Sequence, residues 1–307
     1  MKIVVVGMGI QGNKRKKFLG KEFVYSVDRY KKADFKSLYD VPLNDYNAVL
    51  VCVPDREKFK IINYCIKNKK HVLVEKPLIS NNGKIFRKLK KSINKKKIVI
   101  YTAYNHRFEP NIFEMKKLIK NKKLGKIYKC KIFYGNGTSI LVKKSKWRDK
   151  GMGVLTDIGS HLLDICLYWF GKKIKFLKVV ELNKFENKAP DHAIIQLSYK
   201  KIKIELEMSL CMWKNTFTCD VIGSKGSAHL NSLCKWSKSS FIYRKRKFPS
   251  GLPSEKCINF KLGDPTWKKE YLFFKNLINK KSKSFLDNDL IINNCFKKIA
   301  VSLGKNV

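Results

Sequence analysis

Acidic residues are scarce in this 307-residue chain: 24 Asp and Glu stand against 67 Lys and Arg, a formal net charge of +43. Such a deficit suggests nucleic acid. However, the basic residues run along almost the whole chain instead of gathering in one stripe. Arginine occupies only eight positions, whereas base readout favours arginine forks over lysine point charges. Lys, Asn and Ile are all abundant and share A/T-rich codons. No helix-turn-helix, zinc finger or aromatic RNP signature is present, so no specific nucleic-acid partner is expected. The field would still attract anionic cofactors and substrates.

Long apolar runs are also lacking, and none reaches the ~18 residues that span a bilayer. The N-terminal run Ile3–Val6 leads straight into Gly7 without a cleavage-site pattern, so it reads as a strand and not a leader. The expectation is a cytoplasmic chain with no membrane partner. The nine cysteines form no C-x-x-C pair, which argues against a zinc ribbon or a disulfide framework; no metal is expected. Hydrophobic content of 44% and aromatic content of 12% are globular values, and the length suits two cores.

What is present is a change of periodicity. The first hundred residues alternate short apolar strands (Lys2–Val6, Phe23–Asp28, Ala48–Val53, His71–Val74, Ile98–Tyr101) with helical stretches. Continuous apolar strands are those buried on both faces of a parallel sheet, and strand–helix alternation is the doubly wound pattern. After about Asn105 a helix over Pro110–Lys120 precedes a strand over Lys126–Tyr134. A helix over Asp157–Phe170 and several alternating strands follow, then helices over Thr266–Asn279 and Asp287–Leu303. The predicted fold class is α/β: an N-terminal Rossmann doubly wound parallel sheet, then an α+β domain with a large, mostly antiparallel open sheet. The predicted domains are 1–104 and 105–307, with the final helix, about 287–303, available to pack back on the first.

Three segments carry candidate chemistry. Gly7-Met8-Gly9-Ile10-Gln11-Gly12 is a G-x-G-x-x-G that follows a strand and opens a helix, the context of a dinucleotide-binding turn. Gly7 permits the tight turn, Gly9 the approach of a pyrophosphate and Gly12 the close packing of helix on strand. The helix start turns its backbone N–H groups toward the phosphates. Asp28 ends the second strand where a ribose-binding acid is expected, which favours NAD. Arg29, Lys31 and Lys32 follow at once and suit a 2′-phosphate, so NADP stays open.

The second segment, Val72-Leu73-Val74-Glu75-Lys76-Pro77-Leu78, ends a buried strand at the sheet's carboxyl edge. Lys76 is either held rigidly at the cofactor crevice or part of a solvated turn. In the third segment, Asp157, His161 and Asp164 lie at i, i+4 and i+7 of a helix, on one face. A carboxylate one turn from a histidine can orient the ring and suits a general base for an alcohol; the alternative is a hydrogen-bonded structural histidine.

These residues together resemble the glucose–fructose oxidoreductase / inositol dehydrogenase / MocA family over nearly the whole chain. The carriers are the glycine loop with Asp28, Ala48–Pro54, His71–Leu78, Tyr104-Asn105-His106-Arg107-Phe108, Gly151–Asp164 and Val221–Ser227. The chain departs from the family at Lys58, where a histidine is frequent, and at Met152, which interrupts a glycine triplet.

The resemblance implies hydride transfer between a nicotinamide and a hydroxyl- or carbonyl-bearing carbon of a sugar, polyol or nucleotide sugar. It makes Lys76, Asp157 and His161 the catalytic trio. Ile10, Gln11, Arg29, Val53 and Pro54 join the glycines and Asp28 around the cofactor, and Glu75, Lys76 and Asn105 border the nicotinamide. Arg107, Trp147 and Arg148 join the trio around the substrate. A role in surface-polysaccharide sugar synthesis and a homodimer or homotetramer are further implications. A non-catalytic NAD(H) sensor is the alternative.

Overall fold

Three of the five N-terminal strands are wholly interior, and a fourth is interior through its centre. In the computed structural model, which describes residues 1–145, 148–261, 263–281, 284 and 286–304, β1 (Ile3–Val6), β3 (Ala48–Val51) and β5 (Ile100–Ala103) are buried at every position. β4 (His71–Glu75) is buried through its centre, and β2 (Phe23–Val27) forms the edge opposite β5. The strands pair in parallel in the order β2-β1-β3-β4-β5. The chain winds one way from β1 to β2 and the other way from β3 onward, so the sheet has a switch point beside β1, where open α/β sheets take ligands at their strand ends. Helices α1 (Ile10–Lys16), α2 (Asp55–Lys67) and α3 (Lys84–Lys96) follow β1, β3 and β4. Val4, Val49, Val72, Ile62 and Leu89 fill one face of the sheet, and Ile3, Leu50, Leu73 and Tyr101 line the other.

The chain divides into two compact units. The first is Met1–Asn105 with Trp267–Asn293; the second is His106–Thr266 with Asn294–Val307. The first therefore takes in most of the helix over Thr266–Asn279 (α8, numbered after those below), whose Phe274 is fully buried against Leu50 and Leu73.

In the second unit an eight-stranded sheet is built on alternation. Its strands are β6 (Ile127–Gly135), β7 (Lys175–Asn183), β8 (His192–Tyr199), β9 (Ile202–Ser209), β10 (Thr216–Gly223), β11 (Gly226–Asn231), β12 (Ser239–Lys245) and β13 (Ser254–Phe260). They run β13-β12-β11-β10-β6-β9-β8-β7, with β6 and β9 parallel and the other pairs antiparallel. Ile204, Leu206 and Met208 of β9 are fully buried, while Glu205 and Glu207 point the other way, where Lys131 lies 3.3 Å from each. Period-2 patterning sends alternate residues to opposite faces. Here it leaves one face to helices and one face polar.

Helices α4 (Pro110–Lys120), α5 (Ser139–Lys143), α6 (Val154–Asp157) and α7 (Gly159–Phe170) belong to this unit. The last helix, α9 (Leu286–Ser302), follows α8. α7 is buried at all but one of its positions, and the Trp169 indole N–H donates to the Ile112 carbonyl of α4 at 3.0 Å. The helix predicted over Asp157–Phe170 is interrupted: α6 ends at Asp157, and Ile158 joins it to α7. Three strands escape the periodicity reading. β11 is short and polar-interrupted, β12 carries a charged end, and β13 is an exposed edge strand without an apolar face. No helix of the described residues is long and apolar enough to cross a membrane.

Candidate active site

At the end of β1 the chain turns through Gly7 at φ +93°, a conformation that favours glycine. A Cβ at Gly7 would lie 2.5 Å from the Cys52 carbonyl oxygen after β3, and one at Gly12 would lie 1.9 Å from the Gly7 carbonyl oxygen. Both glycines are therefore demanded by backbone approaching backbone. Gly9 differs: a Cβ there would meet nothing within 4 Å. Its surface is open, as close approach of a pyrophosphate requires. The residues present thus fit a dinucleotide.

Asp28 ties this loop to β2. Its Oδ2 accepts the Met8 N–H at 2.7 Å, and its Oδ1 accepts the Tyr30 and Lys31 N–H groups at 2.9 Å each. Burial alone would raise the carboxyl's pKa, but these three backbone donors and the Lys31 charge hold it below the ordinary aspartate range. A half-buried anion remains at the tip of β2. Ile10 is 75% exposed on the first turn of α1, with Gln11 and Arg29 also exposed and Val53 half-buried. Pro54 caps α2.

Glu75 closes β4, and its carboxylate is engaged from α1. The Arg15 guanidinium lies 2.5 Å from Glu75 and 3.0 Å from Glu270, and Arg15 and Glu270 are almost entirely buried. Burial would favour the neutral guanidine; the two carboxylates outweigh it and keep Arg15 charged. Lys76 follows, half-buried, joined to Pro77 by a cis bond. On α2, which precedes β4, Lys58 is 2% exposed. Its ammonium donates to the Pro77 carbonyl at 2.8 Å and pairs with Asp55 at 2.6 Å. Asn105, 8% exposed, ends this part of the first unit.

The second unit holds Arg107, Arg148, Asp157 and His161. Asp157 accepts the Arg148 guanidinium at 2.7 Å. The His161 ring stacks on His106, with centroids 4.0 Å apart and planes inclined by 22°. Behind that stack the Lys235 ammonium lies 2.6 Å from Nε2 of His106 and 4.5 Å from the Trp236 ring. Arg107 and Asp164 form a buried two-point ion pair, with Nε to Oδ2 at 2.6 Å and Nη2 to Oδ1 as the second contact. Asp164 shares the helix with His161, yet its oxygens serve Arg107. Trp147 lies outside the described residues.

Sequence reasoning gave Arg15 and Lys235 no place, and it named Lys58 only as a departure from the family and His106 only within a matching segment, without a role for either. Arg15, His106 and Lys235 are held by groups distant in sequence, and Lys58 reaches the Pro77 carbonyl 19 residues on, contacts that no local pattern marks. Among the described residues no group of three or more His, Cys, Asp or Glu side chains is arranged to hold a metal.

Comparison with known proteins decides the family. Residues 4–104 match an oxidoreductase family, NAD-binding Rossmann fold, and residues 112–229 match the GFO/IDH/MocA C-terminal domain. The chain belongs to the GFO/IDH/MocA family. It is 26% identical over 158 residues to scyllo-inositol 2-dehydrogenase (NADP(+)) of Bacillus subtilis, covering 50% of this chain and 43% of that protein. To myo-inositol 2-dehydrogenase of Thermotoga maritima it is 26% identical over 192 residues, covering 57% and 56%. The chain thus spans about half the length of the curated relatives it matches. A levoglucosan dehydrogenase solved with NADH and L-sorbose superposes with a TM-score of 0.85 at 17% identity, covering 100% of this chain and 97% of that one. An oxidoreductase domain protein from Kribbella flavida gives 0.83 at 17%, covering 98% and 96%. At such identities the structures speak to the fold alone. The first unit is an NAD-binding Rossmann domain of this family, and the second carries the large open sheet.

Proposed function

We propose that this protein is an NAD(P)-dependent dehydrogenase that acts on a CH–OH carbon of a sugar or polyol. The observation that carries the reading is the loop at the switch point. Gly7 and Gly12 are forced by backbone contact, Gly9 is left open, and Asp28 is bonded to the loop itself. The inositol dehydrogenase relatives point to a polyhydroxylated substrate.

The nicotinamide, when bound, supplies the hydride acceptor for oxidation or the donor for reduction. His161 takes the hydroxyl proton in oxidation and returns it in reduction. Lys76 polarises the same oxygen, and Asp157, already paired with Arg148, balances the charge. Arg107, Trp147 and Arg148 contribute to substrate binding, and Glu75 and Asn105 border the nicotinamide. Asp28 favours NAD, and Arg29 leaves NADP open. Nucleotide sugars are a finer form of the same substrate class, consistent with the formal charge of +43 and its attraction for a diphosphate. A place in surface-polysaccharide sugar synthesis, a homodimer or homotetramer, and a cytoplasmic location complete the proposal.

The test is binding of NADH against NADPH by protein fluorescence, then turnover with myo-inositol, scyllo-inositol, D-glucose, glucose 6-phosphate and UDP-glucose. Lys76→Ala is expected to lose most turnover and keep cofactor binding. Folded protein that binds neither cofactor refutes the reading, and full turnover in Lys76→Ala removes that residue from the chemistry.

A further inference from the structure

Lysine is among the residues least often buried, and in a chain this rich in lysine a single one in a helix reads as surface. Lys58 is the opposite, at 2% exposed. Its ammonium is held by Asp55 at 2.6 Å, one turn back on α2, and by the Pro77 carbonyl at 2.8 Å, across on the segment after β4. Taking an ammonium out of water costs several kcal/mol unless it is paired and hydrogen-bonded. Burial accordingly pushes Lys58 below the ordinary lysine range, and Lys76 adds to this, while Asp55 and Glu75 oppose it. Leucine or methionine would fill the same space without that cost, so the position calls for a donor.

The donor's target is the residue after Lys76. The residue before Lys76 is fixed as well: the Glu75 carboxylate is gripped by Arg15, itself 4% exposed and held by Glu270. Two buried cations from two different helices thus hold the two chain neighbours of one lysine. We infer that Lys58 is a positioning residue for Lys76: its bond to the Pro77 carbonyl, with the Arg15–Glu75 pair on the other side, fixes the backbone from which the Lys76 amine projects. Lys58 touches neither substrate nor cofactor in this role. The inference rests on the proposed role of Lys76 in the chemistry, and its test separates the two.

Two variants distinguish a donor from a mere space-filler. Lys58→Met keeps the volume and removes the donor; Lys58→Gln removes the charge and keeps an N–H donor on a side chain one atom shorter. In cofactor-free protein, amide hydrogen exchange over residues 75–80 is expected to quicken about tenfold in Lys58→Met and to stay near wild type in Lys58→Gln. With the best substrate of the panel above, Lys58→Met is expected to lose about tenfold in kcat, the loss of one charge-assisted hydrogen bond. KM and the NADH dissociation constant should remain within about twofold, and Lys58→Gln should recover most of kcat. Unchanged exchange in Lys58→Met overturns the inference. So does unchanged kcat, a parallel loss of NADH affinity and kcat, or a Lys58→Gln as impaired as Lys58→Met. Should Lys58→Met fail to fold, Lys58→Gln decides alone: near-native exchange and kcat support the inference, and a folded Lys58→Gln with neither overturns it. Lys76→Met run beside them reports on the catalytic role of Lys76 itself. If it keeps turnover, that role falls, while the exchange data still decide whether Lys58 fixes the segment.

Discussion

The Asp28 carboxylate accepts the Met8 N–H at 2.7 Å. The acid expected at a ribose is therefore also the acid that holds the glycine loop, so one side chain has two tasks. Asp28→Ala should weaken NADH binding about tenfold or more, the scale of one hydrogen bond to a charged group, and loosen the loop. Titration of NADH fluorescence measures the first effect, and amide exchange at Met8 and Gly9 the second. The pH dependence has a definite sign. Asp28 has its folded pKa lowered, so its stabilisation is fully present above the ordinary aspartate pKa of about 3.9 and is lost as pH falls through the depressed folded value. The stability difference between wild type and Asp28→Asn should stay flat from about pH 8 to pH 5 and shrink only below that window. A difference that decays already near pH 6 would contradict this assignment.

Arg15 bridges Glu75 and Glu270 inside the first unit. Arg15→Met leaves Glu270, itself 0% exposed, facing Glu75 without the cation that offsets their burial. Breaking a buried pair of this kind costs about 3–5 kcal/mol, a large part of an ordinary domain's ~5–15 kcal/mol. Arg15→Lys should be intermediate, because one ammonium cannot reproduce the fork that reaches two carboxylates. Urea unfolding followed by tryptophan fluorescence measures both. A loss under about 1 kcal/mol in Arg15→Met would show that the cluster is hydrated rather than dry.

The same pair shows what the sequence could and could not disclose. Buried runs such as Ile3–Val6 and Ala48–Val51 mark parallel strands by composition alone, and the alternation from Ile202 to Met208 marks the sheet face correctly. The glycine spacing and Asp28 are legible because their chemistry is local. Arg15 and Lys58 are not: each reaches a group far off in sequence, Glu75 by 60 residues and Pro77 by 19, and only the Asp55 contact of Lys58 is local. Both look like surface residues until tertiary packing closes over them. Asp164 misleads for a similar reason. Helical spacing groups it with His161, but a helix buried on nearly every side offers several partners, and Asp164 takes Arg107. β13 is hidden for the converse reason, since an exposed edge strand has no face that must be apolar.

Arg107 and Asp164 provide a third test. Burial raises the Asp164 pKa, and the Arg107 charge and hydrogen bonds oppose that rise. Asp164→Leu leaves the guanidinium without its anion and should cost about 3–5 kcal/mol. The double replacement Arg107→Met with Asp164→Leu should recover most of that loss, because apolar side chains of similar volume remove the desolvation cost of both charges. A double-mutant cycle on unfolding free energies gives the coupling directly. If Arg107→Met alone raises KM with little effect on stability, the arginine serves the substrate and the ion pair is secondary.

The nine cysteines differ enough in setting to order their reactivity. Burial pushes Cys65 up to about 12 and Cys295 up to about 11, and lifts Cys166 and Cys219 well above the ordinary thiol range. Cys211, only half-buried, is pushed up to about 11, first by desolvation and then by the nearby Asp191 and Glu186 charges. Since the thiolate is the nucleophile, all five should react slowly with iodoacetamide at pH 8 in the native protein. Cys257 is exposed on the edge strand β13 and should be alkylated first. Peptide mapping over time should show one fast site at Cys257, with Cys65, Cys166, Cys219 and Cys295 labelled only at the rate of unfolding. Rapid native labelling of Cys166 or Cys219 would mean that the core beneath α7 opens locally far more often than its burial implies.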